Sequence, residues 1–192
     1  IRDSAYRFDE SSTEKAIAYA KIYAGTNYSP AMETVLKVAF SEKRNLPTFR
    51  LKSSDTILLS GYMKKWVGAY LAGYNNRPSV RTGNCSGTHP DPMAKTILRA
   101  RIPGLENNLA DKIVAGHSLL MTIENNIGEL LEEYLAVKLS PLGWYCCWGS
   151  TIDAVDFCKA DGSLLQIKTS DNSENSSSSR VRQGTPIEKW FR

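Results

Sequence analysis

The stretch Thr151-Ile152-Asp153-Ala154-Val155-Asp156-Phe157-Cys158, then Lys159-Ala160-Asp161-Gly162, then Ser163-Leu164-Leu165-Gln166-Ile167-Lys168-Thr169 reads as two strands joined by a turn. Asp-Gly between apolar runs is a good hairpin signal. With residues 159–162 as a four-residue loop, Cys158 faces Ser163, Phe157 faces Leu164, Val155 faces Gln166 and Asp153 faces Lys168. Directly opposed residues share a face, so Asp153, Gln166 and Lys168 gather at its open end. A slip of one residue would bring Asp156 there instead. The four-residue loop and the neighbouring Lys168 favour Asp153.

A carboxylate and an amide oxygen are hard donors of the kind Mg²⁺ takes. A lysine beside them can orient an attacking water and stabilise charge growing on phosphorus. The plain alternative is an ordinary Asp–Lys cross-strand pair, worth roughly 0.2–1 kcal/mol.

Working outward, Trp144 to Trp148 reads as another strand, entered through the stop signal Ser140-Pro141-Leu142-Gly143. Before it, Leu105 to Leu120 and Thr122 to Leu139 read as two helices. The second carries an apolar stripe of Ile123, Ile127, Leu130, Leu131, Tyr134 and Leu135. Further upstream, Ser11-Ser12-Thr13-Glu14 offers caps for a helix over Ala16 to Ala24, and Ser29-Pro30 introduces a second helix. That second helix would bury Met32, Val35, Leu36, Val38 and Ala39; Thr56 to Tyr74 gives a third. Residues 75–92 read as a long loop, and residues 171–179 as a polar stretch before the basic segment Arg180 to Arg192.

The chain has 192 residues, 42% hydrophobic and 23% charged, enough to bury a core and unlike a disordered tail. It holds no run of about 18 apolar residues, the length a membrane helix needs. Its first residues, Ile1-Arg2-Asp3-Ser4, and its last, Lys189-Trp190-Phe191-Arg192, read as cut ends of a longer protein. Net charge is +4, yet residues 42–81 alone hold eight bases and two acids, a local excess that suits a polyanion. The four cysteines, Cys85, Cys146, Cys147 and Cys158, have no zinc-ligand spacing and read as reduced, buried thiols of a cytoplasmic protein. His89 stands in a loop without an identifiable partner acid, His117 reads as packed in its helix, and Trp66 reads as core.

The run from Asp153 to Lys168 resembles the PD-(D/E)XK nuclease superfamily. There an Asp begins one strand and a (Glu/Asp/Gln)-x-Lys tripeptide sits on the next; Asp153 and Gln166-x-Lys168 match. Ile152 stands where the family has Pro, and Gln166 where it more often has Glu, which removes a negative charge from the metal site. The family also places an acid on the preceding helix, often as Gly-x-x-x-Glu, and Gly128-Glu129-Leu130-Leu131-Glu132 fits, pointing to Glu132 with Glu129 and Glu133 as neighbours. The segment from Ser170 to Thr185 is similar to type II restriction endonucleases of the SinI type, a group associated with the site GGWCC.

The resemblance implies an α/β fold: a mixed central β-sheet flanked by helices, a restriction-endonuclease-like core over residues 103–192 that is truncated at its C-terminal end. A mainly helical region over residues 1–102 precedes it. It implies a Mg²⁺-dependent, sequence-specific endodeoxyribonuclease acting on double-stranded DNA, with Asp153, Gln166 and Glu132 on the metal and Lys168 positioning water. A palindromic target implies a homodimer. Ser170, Asn172, Asn175, Arg180, Arg182, Gln183 and Lys189 after the lysine, with Arg77 and Arg81 in the long loop, are the candidates for DNA contact. The rival readings are a structure-specific repair or mobile-element nuclease and a non-catalytic DNA-binding domain on a degenerate nuclease fold.

Overall fold

The computed structural model describes residues 12–49, 58–80, 91–168 and 187–191, the side chains of Asn125, Lys168, Lys189, Trp190 and Phe191 excepted. The described chain runs α1 (Thr13–Ala24), α2 (Pro30–Ser41), α3 (Leu59–Asn75), α4 (Met93–Arg101), α5 (Asn107–Leu139), β1 (Trp144–Cys146), β2 (Phe157–Lys159), β3 (Leu164–Lys168) and β4 (Ile187–Phe191). None of the described helices is long and apolar enough to cross a membrane. The fold is mixed α/β. Its four strands lie in chain order, β1–β2 and β2–β3 antiparallel and β3–β4 parallel. The strand β4 falls in what reads in sequence as a basic segment. The two helices expected over 105–139 are one continuous helix, α5.

The chain divides into two compact units, residues 1–77 with 132–192, and residues 78–131. In the first, α1 presents Ala16, Ala20 and Ala24 at i, i+4 and i+8, and these small residues let it pack along α3. Ser29 caps α2, its Oγ accepting from the Met32 N–H at 3.2 Å, with Pro30 at the first helical position. Met32, Val35, Leu36, Val38 and Ala39 are buried as their spacing predicts. They join Tyr62, Met63 and Trp66 of α3 and Cys147, Ile152, Val155, Cys158 and Leu164 of the sheet region in one core. The helices α1–α3 therefore share their core with the sheet. Ser12 occupies the N-cap position of α1 without a side-chain cap bond.

In the second unit α4 precedes the first part of α5, and an ion pair joins Lys95 to Asp111. His117, expected to be packed, is exposed, and so are Ile123, Ile127 and Leu130 of the apolar stripe.

The segment between β1 and β2 is not the expected strand over Thr151 to Val155. It is clamped against the helices instead. Trp66 Nε1 donates to the Thr151 carbonyl at 2.9 Å, and the Asp153 N–H donates to the Asn45 carbonyl at 2.9 Å. Ser150 and Ala154 take left-handed φ values of 54° and 59°, which no strand continues through. Gly149 (φ 70°) lies so close to α3 that a Cβ there would stand 2.0 Å from the Ala69 carbonyl oxygen. Gly73 meets the same segment from the helix side, where a Cβ would stand 2.4 Å from the Gly149 nitrogen.

Two predictions follow from this packing. Gly149→Ala should cost at least about 3 kcal/mol, because it combines left-handed strain with a backbone clash; urea unfolding measures it. The second concerns Cys147, a buried free thiol whose burial, with its hydrogen bond to the Cys158 thiol, pushes its pKa well up. In the unfolded chain a thiol ionises near about 8.5. The folded form holds its proton more tightly, so this stability is complete below that pH and falls as pH rises through and beyond it. The urea midpoint should therefore drop between about pH 8 and 10, and Cys147→Ala should flatten the drop.

Candidate active site

The turn between β2 and β3 sets the register in which the strand of the Gln-x-Lys tripeptide meets β2. The Lys159 N–H donates to the Ser163 carbonyl at 3.0 Å, and the Gly162 N–H returns to the Lys159 carbonyl at 3.0 Å. Asp161 Oδ1 accepts from the Ser163 N–H at 2.9 Å, and Gly162 sits at φ 91°. The loop is therefore the three residues Ala160, Asp161 and Gly162, one fewer than the sequence suggests. Its closing residue has the positive φ that glycine supplies. Phe157 pairs with Leu165 and Cys158 with Leu164, one residue away from the expected register.

Asp153 precedes the paired part of β2, in the clamped segment, its backbone bound to Asn45. Asp156 stands directly before β2. Its N–H donates to the Leu165 carbonyl at 3.0 Å while Phe157 is the Cα partner of Leu165, so two residues of one strand oppose one of the other, as in a β-bulge. Beyond that point the antiparallel ladder stops, and the Asp156 carboxylate replaces it: Oδ2 accepts from the Ile167 N–H at 2.7 Å. That bond is as short as a charge-assisted one should be. It holds the carboxylate on the peptide that joins Gln166 to Ile167.

Gln166 is buried. By alternation it shares a face of β3 with Leu164, while Leu165 follows Cys146 and Phe157 on the other face. Its neighbour across the parallel pair is Lys189 of β4, and Lys168 pairs with Phe191. The side chains of Lys168 and Lys189 lie outside what the structure describes.

The acids of α5 enter from the opposite side in sequence. Burial pushes the Cys146 thiol well up, and the charges of Glu132 and Asp156 push it further. Both carboxylates therefore lie within electrostatic reach of one buried sulfur. Glu133 has a partner: Arg77 Nε donates to its Oε1 at 3.2 Å, and the same guanidinium stands 3.9 Å from the Tyr74 ring centre and donates to the Tyr74 carbonyl at 2.6 Å. Arg77, expected on DNA, is held in this intramolecular network, with its side chain 21% exposed. Lys64 and Lys65 are exposed on α3, and Trp66 beside them is core.

Ser170, Asn172, Asn175, Arg180, Arg182, Gln183, Arg81, Cys85 and His89 lie outside the described residues. Among the described residues no group of three His, Cys, Asp or Glu side chains is placed to hold a metal ion. The donors near the hairpin are carboxylate and amide oxygens, which by chemical type fit a hard divalent cation. The bulge at Asp156 has a sequence signal, the second acid of Ile152-Asp153-Ala154-Val155-Asp156.

The chain resembles two curated relatives. It is 46% identical over 110 residues to the type II restriction enzyme SinI of Salmonella infantis, covering 55% of this chain and 47% of that protein. It is equally similar, with the same coverage, to the type II restriction enzyme Eco47I of Escherichia coli. The chain thus spans about half the length of the curated relatives it matches. The family model for the SinI restriction endonuclease matches residues 53–192, which include α5, the hairpin and β4. On that match, the chain belongs to the SinI restriction endonuclease family.

Proposed function

We propose that this chain forms the catalytic part of a Mg²⁺-dependent type II restriction endonuclease, cutting double-stranded DNA at a site of the GGWCC type in the cytoplasm. The observation that carries this reading is the Asp156 carboxylate bound to the Ile167 N–H beside Gln166-x-Lys168. In this reading Asp156 takes the role first given to Asp153. With Gln166 and Glu132, it would hold the cation, which supplies positive charge against the phosphate oxygens. Lys168 orients the attacking water through its ammonium protons. Glu132 is preferred because its charge and that of Asp156 act on the same Cys146 thiol. The basic segment after Lys168, with Arg180, Arg182, Gln183 and Lys189, would follow the DNA from the lysine outward, and two copies would act on the two strands of a palindromic site.

A non-catalytic reading has one observation in its favour: Gln166 brings no charge to the tripeptide. Substitution separates the two readings. Asp156→Asn should slow plasmid cleavage at least about 100-fold more than Asp153→Asn does, and Lys168→Ala should abolish cleavage while retaining DNA binding in a gel-shift assay. Discrete bands support site-specific cutting, and a smear favours a structure-specific nuclease. A chain that binds DNA and cuts none with Mg²⁺ present returns the fold to a binding role.

A further inference from the structure

The unit of residues 78–131 has little interior of its own. Among its described residues only Ala110, Val114 and Thr122 are buried. Along its part of α5, meanwhile, Leu109, Ile113, Leu120, Ile123, Ile127 and Leu130 are each 37–54% exposed. Scattered exposed apolar residues are ordinary, but a continuous line of six aliphatic side chains is not.

The spacing of that line is specific. Positions 109, 113, 116, 120, 123, 127 and 130 advance by alternating steps of four and three, with Gly116 the single place that lacks an apolar side chain. This is the a/d seam of a heptad repeat, the narrow stripe that a second helix covers. A helix that packs into a globular core shows a broader stripe. The line runs for about 33 Å at the usual rise per residue.

We propose that this seam joins two copies of the chain through an antiparallel pair of α5 helices. The proposal gives a surface to the two-copy assembly suggested above and rests on that part of the reading alone. The flanking charges choose the direction. In an antiparallel pair, positions following d face each other, so exposed His117 stands across from Glu124 of the partner subunit, a donor opposite an acceptor, and the pair occurs twice. A parallel pair would set Lys112 against His117 of the partner subunit and leave Glu124 against the apolar Leu119. Electrostatics of this kind set register and orientation.

Sedimentation equilibrium of the 192-residue chain tests the seam. The wild-type chain should show twice its single-chain mass of 21.3 kDa. Leu120→Glu with Ile127→Glu should sediment as a single chain with an unchanged far-UV dichroism spectrum, since both side chains already face solvent in one copy. His117→Glu should weaken association roughly tenfold, and adding Glu124→Lys should restore it. Recovery by the double exchange supports the antiparallel pairing and does not depend on the apolar variants. A wild-type chain that remains single at the highest soluble concentration overturns the proposal and leaves the line to other segments of a longer protein. Retention of the double mass by the Leu120→Glu, Ile127→Glu chain overturns it as well. DNA cleavage enters none of these measurements, so the nuclease reading stands or falls separately.

Discussion

The three-residue loop Ala160–Gly162 holds Lys159 opposite Ser163, and the register of β2 against β3 depends on it. Two features hold the loop at that length: the Asp161 carboxylate on the Ser163 N–H, and glycine at a φ of 91°. A strand's side chains repeat every two residues, so one residue in the loop exchanges the faces of a whole strand. Here Asp156 comes to lie beside the tripeptide, against the Ile167 N–H. The bulge then turns the end of the ladder into a place where a side-chain oxygen, in place of a carbonyl, meets the Ile167 N–H.

A carboxylate held this way needs a rigid support. Behind the hairpin, Cys158 and Leu164 pair across the strands and belong to the core built with α2 and α3. The segment between β1 and β2 is fixed by Trp66, by the Gly73–Gly149 approach and by Asn45. The bonds from Trp66 to Thr151 and from Asp153 to Asn45 each consume a backbone donor or acceptor that a longer β2 would have used. The same packing that shortens the strand therefore fixes the backbone just before Asp156. Precise placement of a side chain comes from such supporting contacts more than from its own single bond.

Helix α5 serves two purposes along its length. Near its C-terminal end Glu132 and Glu133 differ in their partners, Glu133 being bound to Arg77 and Glu132 acting on the Cys146 thiol. Earlier, its exposed aliphatic line has a period suited to another helix. The two shorter helices expected over 105–139 join through Met121 into one, and no proline within α5 interrupts its hydrogen bonds. Family membership is consistent with the fold, and the observed span is about half the length of the relatives matched.

Much of this was legible in the residues. Ser29-Pro30 marks the start of α2, its five apolar positions mark the buried face, and Asp161-Gly162 marks the hairpin, because caps, helical period and positive φ are local properties of short segments. Gln166-x-Lys168 was likewise legible, and so was the presence of two nearby acids. The course of the backbone around those acids was not, since it turns on a loop shortened by one residue and on a segment that α3 and Asn45 hold out of the β2–β3 ladder. Nor was β4 visible, because a short parallel strand of mixed polarity lacks the alternation of a hairpin and is defined by its neighbour, β3. Local chemistry was written in the chain; which local option prevailed was decided by contacts between residues far apart in sequence.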